Sequence, residues 1–368
     1  MKQKAHQPSM FAVNTMDVSA SKHYFNTPLT HGPQQIDLSD YHIDRNIGNG
    51  QYGNVFRAIH YRTEKQYALK IILTHNKSKA LKDALDEVHA HSCFSHHNIV
   101  QLIGYQQEQG KVGLLMEYAD KGNLFQYIQR RGSLNEFEAH DFFMQVVNGI
   151  KYLHSNNYIH RDIKPENILR SGNIIKICDF GGTVKLDDPK IKNAYGTFEY
   201  VAPETISKRE YSTATDIWAL GILLYELVHG KAPFRSTENG KLLYKIQHDT
   251  PIYKKGLSAG LLQVLDGLLA KQPQQRWTIQ KLYDSQWMKQ TFTPNKSEFH
   301  HFILNLRNGK KLSDYNEHNC TLSTSIITPT NKSLRDNTTQ CSSKALKFKP
   351  VVSHTNSFWE KMAYLITD

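Results

Sequence analysis

From Tyr41 to about residue 118 the chain alternates apolar and polar positions in short runs broken by turn signals. The run HIDRNIGNGQYGNVFRAIHYRTEKQYALKIIL carries β-branched and aromatic residues at period two, which predicts a small antiparallel sheet. One helix interrupts it: in KSKALKDALDEVHAHSCF, Leu81, Leu85 and Val88 recur at i, i+4 and i+7. Strands resume in NIVQLIGYQQEQGKVGLLMEYA. After the Lys-Gly-Asn of residues 121–123 the period becomes helical, and Phe142, Phe143, Val146, Val147, Ile150 and Leu153 form a stripe too broad for an exposed helix. A second apolar helix, TDIWALGILLYELVHG, is expected to stop at Gly230, with Pro233 just beyond. Strands first and helices after predict an α+β globule, with a β-rich N-lobe over about 41–118 and an α-helical C-lobe over about 119–290.

The flanks differ. Residues 1–40 are polar and without period, and read as a disordered leader. Residues 291–368 are rich in Ser, Thr, Asn and Lys, and read as a basic, mostly disordered tail. Its last stretch, KFKPVVSHTNSFWEKMAYLI, regains aromatic residues and is either a short docking helix or an untethered end.

Composition narrows the function classes. No stretch approaches the ~20 apolar residues of a membrane span, so membrane insertion is not expected. The first residues carry no continuous apolar core, which argues against a secretory signal and for a cytoplasmic or nuclear protein. Cys93, Cys178, Cys320 and Cys341 lack the paired short spacing of a zinc cluster or disulfide framework. The net charge of +11 is spread along the chain with no run of five Lys or Arg, so a dedicated nucleic-acid site is not expected.

The candidate chemistry lies in three places. Gly48-Asn49-Gly50-Gln51-Tyr52-Gly53-Asn54-Val55 sits between two predicted strands. A dinucleotide site would place a helix after the glycines; a second strand follows instead, which favours a hairpin lid offering backbone N–H groups to phosphates. Lys70 ends a strand, and Glu87 in the next helix is the carboxylate chosen to hold it, since Asp83 and Asp86 fall on other helix faces. His160-Arg161-Asp162-Ile163-Lys164-Pro165-Glu166-Asn167 is followed by Asp179-Phe180-Gly181 twelve residues after Asn167. Asp162 can take a hydroxyl proton, Lys164 can neutralise phosphate charge, and Asn167 and Asp179 are hard oxygen donors suited to Mg²⁺.

Together these residues resemble the eukaryotic protein kinase family, of serine/threonine type, over about residues 41–290. Ala202-Pro203-Glu204, Asp216-Ile217-Trp218 and Arg276 extend the match, with Arg276 expected to pair with Glu204. The resemblance implies the bilobal kinase fold, ATP and Mg²⁺ as cofactors, and transfer of the γ-phosphoryl group to Ser/Thr of protein substrates. It implies catalytic roles for Asp162, Lys164, Lys70, Glu87 and Thr197, and metal ligation by Asn167 and Asp179. The nucleotide site it implies comprises Ile47, Gly48, Asn49, Gly50, Gly53, Val55, Ala68, Lys70, Met116, Glu117, Ala119, Asn123, Glu166, Leu169 and Cys178. Glu166 and Glu226 match the acidic pair of relatives that favour basic residues before the acceptor. Asn123 replaces the acid that some of them place at the ribose edge. The alternative is a pseudokinase scaffold, but such chains lack a residue corresponding to Lys70, Asp162 or Asp179, and all three are present.

The match lies in the Aurora, Polo and calmodulin-dependent neighbourhood and is most like Aurora, with His91 at a position of the hydrophobic spine where Aurora-like kinases tolerate a polar residue. A role in cell division follows from that likeness. Asn193 stands where Aurora-like kinases carry their main phosphothreonine, so activation is expected from a protein partner or from local carboxylates such as Asp187 and Asp188. Cys178, beside Asp179, reads as a buried structural thiol, with reaction toward pocket-directed electrophiles as the second reading.

Overall fold

The structure is a computed structural model; it describes residues 33–290 except 51, 52, 76, 109 and 194. The alternating segments form a five-stranded antiparallel sheet from β1 (Tyr41–Gly50), β2 (Gly53–His60), β3 (Gln66–Leu73), β4 (Leu102–Glu108) and β5 (Lys111–Glu117), in the order β1-β2-β3-β5-β4. Period two sorts β3 onto two faces. Ala68 and Ile72 pack with Val88 and Ala84 of α1 (Ser78–Ser92), whereas Leu69 and Ile71 pack on the other face with Phe56 and Leu115. Lys70 shares the parity of Ala68 and Ile72 and so meets α1.

The outer face has a cover that the polar leader did not announce. Gln35 bridges Tyr105, the Ile36 N–H donates to the Tyr105 carbonyl, and Leu38 is fully buried beside Phe56 and Leu115. A Cβ on Gly104 would lie 2.5 Å from Ile36, so only glycine lets the segment seat. This corrects the expected boundary: residues 34–40 belong to the folded N-lobe, because two isolated apolar side chains find the exposed edge of β4. Residues 1–32 and 291–368, including the stretch read as a short terminal helix, lie outside the described residues.

The C-lobe is built on α2 (Leu124–Arg131), α3 (Glu136–Ser155), α4 (Pro203–Lys208), α5 (Thr213–His229), α6 (Asn239–His248), α7 (Ala259–Leu268) and α8 (Ile279–Tyr283), with short strands β6 (Tyr158–Ile159), β7 (Ile168–Ser171), β8 (Ile174–Ile177) and β9 (Val184–Lys185). The stripe on α3 and nearly all of α5 are buried together in one core. Helix α5 stops as expected at Gly230, at φ +77°, where a Cβ would meet the Gly132 carbonyl oxygen at 2.0 Å. Among the described residues no helix is long and apolar enough to cross a membrane.

Candidate active site

The loop carrying Asp162 is pinned from below. Asp216, fully buried near the start of α5, accepts from the backbone N–H groups of His160 and Arg161 at 2.9 Å each, and lies 2.8 Å from His154 Nε2. Burial works to raise the Asp216 carboxyl, but the His154 hydrogen bond and the His160 contacts outweigh it and hold the group below its ordinary 3.8. These bonds sustain a positive φ of +70° at Arg161, a conformation non-glycine residues rarely adopt. Asp216 was read from sequence only as the opening of a core helix; no local pattern links it to a loop more than fifty residues earlier.

Asp162 is then held by three side chains. Asn167 Nδ2 donates to its Oδ2 at 2.9 Å and to its carbonyl at 2.8 Å, Lys164 Nζ lies 2.8 Å from Oδ2, and Thr197 Oγ1 donates to Oδ1 at 2.9 Å. Lys164 also donates to Thr197 Oγ1 at 2.7 Å. The carboxylate is thus fixed in place and flanked by an ammonium group.

The β7–β8 hairpin brings the second cluster to the first. Its register pairs Ile168 with Ile177, and the Cys178 N–H donates to the Asn167 carbonyl at 2.9 Å, so Asn167 and Asp179 meet at one end of the hairpin. Lys70 donates to Glu87 at 2.7 Å and to Asp179 at 2.9 Å. Desolvation opposes the Lys70 charge, yet Glu87 and Asp179 hold its pKa above the ordinary 10.5. Burial likewise works to raise Asp179, and the Lys70 ammonium outweighs it and keeps the group below 3.8. Lys70 thus pairs with Glu87, while Asp86 instead contacts Lys190. Between the clusters Phe180 is buried against His91 (centroids 4.5 Å apart), Phe94 (5.2 Å) and His160 (5.4 Å). His91 Nε2 lies 2.6 Å from the Val100 carbonyl, and burial pushes the imidazole pKa down to about 4, so it packs as a neutral ring.

The lid is a hairpin, with Gly48 opposite Val55, Asn49 opposite Asn54 and Gly50 opposite Gly53. Asn46 organises its first strand, accepting from the Gly48 N–H and donating to the Asn49 side chain. Gly53 sits at φ +151°, where a Cβ would fall 2.2 Å from the Ile71 carbonyl oxygen. Beneath the lid Ala68 pairs with Met116 across β3 and β5, in one apolar cluster with Val55, Leu169 and Cys178. Ile47 is exposed and Ala119 half-buried at its margin. The Glu117 carboxylate pairs with Lys176 at 2.8 Å, and its N–H donates to the Gln101 carbonyl at 2.9 Å. Asn123 caps α2, its carboxamide oxygen accepting from the Gln126 N–H at 2.9 Å. Burial pushes the Cys178 thiol well above its ordinary range, which favours the structural reading over the reactive one.

Glu166, Glu199 and Glu226 gather around Tyr200, whose hydroxyl donates to Glu226. Burial raises Glu226 and Glu166 above the ordinary 4.5. Arg276 makes the expected fork with Glu204, at 2.7 and 2.9 Å, fully inside the C-lobe.

Asn167 and Asp179 fit Mg²⁺ by the chemistry of their donors. Among the described residues no group of three or more His, Cys, Asp or Glu gathers to hold a metal, so an ion here would complete its shell with phosphate and water oxygens, as Mg²⁺ does.

Comparison with known proteins agrees. The protein kinase domain family model matches residues 41–288. The chain is 34% identical over 267 residues to an Aurora kinase of Dictyostelium discoideum, covering 71% of this chain and 69% of that protein. It is 30% identical to Aurora kinase C of Mus musculus, covering 72% and 96%, and 33% identical to the serine/threonine-protein kinase Aurora-1 of Arabidopsis thaliana, covering 70% and 89%. The chain therefore belongs to the protein kinase family and is a serine/threonine protein kinase similar to the Aurora kinases.

Proposed function

We propose that the enzyme transfers the γ-phosphoryl group of Mg-ATP to Ser or Thr of proteins carrying basic residues upstream of the acceptor. The observation that carries this is the Thr197 hydroxyl, which bridges Asp162 and Lys164 while the Lys70–Glu87 pair is closed. Asp162, with Oδ2 committed to Asn167 and Lys164 and Oδ1 accepting from Thr197 alone, can take the acceptor proton on Oδ1 as the new O–P bond forms and the bond from the γ-phosphorus to the bridging oxygen breaks, releasing ADP. Lys164 balances charge on the moving phosphoryl group, and Lys70, oriented by Glu87, grips the remaining phosphates. Asn167 Oδ1 and the Asp179 carboxylate would hold Mg²⁺, which when bound neutralises phosphate oxygens. Gly48, Asn49, Gly50 and Gly53 would cover the phosphates, while Ile47, Val55, Ala68, Met116, Ala119, Leu169 and Cys178 would enclose the base, with backbone help from Glu117. Asn123 and Glu166 border the ribose side in this reading.

The acidic trio supports the basic preference, because Glu166 and Glu226, raised chiefly by burial and lying near Glu199, gain most from a guanidinium. A positional peptide library tests it: arginine upstream should dominate, and Glu166→Gln should cut kcat/KM on the best peptide about tenfold, the worth of one charge-assisted bond. Equal use of acidic and basic peptides would refute the preference and leave phosphoryl transfer intact. A protein partner, expected because Asn193 takes the phosphoacceptor's place, would act on an α1 already closed on Lys70. The likeness to Aurora kinases supports a role in cell division.

A further inference from the structure

We propose that Tyr195 and Tyr211 form an aromatic cage for Arg161 that holds the activation segment in its working shape without phosphate, which makes both tyrosines positioning residues for the reaction. A buried arginine beside the catalytic aspartate ordinarily needs an anion. Here its needs are met otherwise. Arg161 Nε donates to the Gly182 carbonyl at 2.5 Å, and Nη1 donates to the carbonyls of Asn193 at 3.1 Å and Ile191 at 3.4 Å. The guanidinium carbon lies 5.2 Å from the ring centroids of both Tyr195 and Tyr211, within cation–π range. Asp188 caps the short turn Pro189–Lys192 by accepting from the Lys190 N–H, and its charge favours the Arg161 cation from nearby rather than through one of the hydrogen bonds above.

The cage is built from both sides. The Tyr211 hydroxyl accepts from the Tyr195 N–H at 2.8 Å and donates to the Tyr195 carbonyl at 2.9 Å, so one side chain fixes the backbone one peptide before Gly196 and Thr197. Gly182 leaves room for the Tyr195 ring, since a Cβ there would lie 2.2 Å from Cε1. Gly196, at φ +108°, lets the segment approach the Arg161 carbonyl, where a Cβ would stand at 2.9 Å. The chain of contacts ends at the chemistry, because Thr197 is the residue that bonds Asp162 and Lys164.

Two hydroxyls of the segment are already engaged, Thr197 with Asp162 and Tyr200 with Glu226, while Thr183 is buried and the Tyr195 ring forms the cage. A phosphate on Thr197 or Tyr200 would break a contact that now shapes the site. A further tether, Lys190 to Asp86, joins two side chains that are 35% and 45% exposed, and surface pairs contribute only about 0–1 kcal/mol. The pairing of β9 with β6 and the Glu204–Arg276 fork hold the two ends of the segment, and the cage holds the stretch between them.

This inference rests on the reading that Asp162 positions the acceptor hydroxyl, and the test separates the two. The full chain is treated with phosphatase, checked by mass spectrometry, and compared with Tyr211→Phe, which keeps the ring but removes both hydrogen bonds. The stripped parent should retain its kcat. Tyr211→Phe should lose about tenfold in kcat with KM for ATP unchanged, the effect of losing the pair of bonds that positions the segment. Amide exchange should quicken in Tyr211→Phe at residues 193–199 and not in α5. The proposal is overturned by a parent that loses its kcat with its phosphate, by a variant unchanged in kcat and exchange, or by exchange that quickens throughout the C-lobe. A parent that transfers no phosphate at all would sink the Asp162 reading, and the exchange comparison would still judge the cage.

Discussion

Arg161, beside Asp162, and Asp179, the proposed metal ligand, both sit at positive φ, +70° and +65°. Such conformations cost about 1–3 kcal/mol each in non-glycine residues and persist only when their surroundings over-determine them. For Arg161 that surrounding is Asp216, whose two carboxylate oxygens take the N–H groups of residues 160 and 161. The folded Asp216 releases its proton below 3.8, so the unfolded chain binds more protons around that pH. Its stabilisation is therefore full above the ordinary value and is lost as pH falls through the depressed one. Denaturant melts from pH 6 down to about pH 3 should show stability falling toward the acid end, and Asp216→Asn should flatten that fall while lowering kcat. That Asp162, Asn167, Asp179, Lys70 and Glu87 come together was legible because each sits in a short motif or at a set interval from one. The grip of Asp216 on the loop, and of Tyr211 on Tyr195, was not, because those pairs are joined only by tertiary packing.

Elements carry the same lesson at larger spacing. Strand and helix periods marked the N-lobe sheet, α1 and the C-lobe helices, because burying one face forces period two or a helical stripe. The outer-face cover from residues 34–40 escaped notice: one buried leucine and one half-buried isoleucine set no period. Asn123 escaped its cap role for a different reason, since a turn-forming Asn before a helix also fits a ligand edge. Gly230 is the plainest element-level test. Gly230→Ala must adopt φ +77° and approach the Gly132 carbonyl, so it should cost more than about 1 kcal/mol and lower Tm by at least 2–4 °C, read by calorimetry. Gly53→Ala, on the lid, should instead raise KM for ATP, because its clash is with the Ile71 backbone beside the phosphate-facing hairpin.

Across the whole molecule, the two lobes contribute to one site: Lys70 and Glu87 from the sheet and α1, Asp162, Asn167 and Asp179 from the C-lobe loops. The Glu204–Arg276 fork closes the segment onto the C-lobe core, with Arg276 also donating to the Ala214 and Ala270 carbonyls. Removing one member leaves a buried charge without its partner, so Glu204→Ala should cost about 3–5 kcal/mol in chemical denaturation, more than any surface pair here. Phosphoryl transfer from radiolabelled ATP to a serine peptide, run with the parent and Asp162→Asn side by side, carries the heaviest weight. The parent should label the peptide, and the variant should bind nucleotide with the same Kd yet turn over at least about a hundredfold more slowly. Equal rates in both proteins, or nucleotide binding without labelling in the parent, would contradict the assignment of Asp162 as the group that receives the acceptor proton.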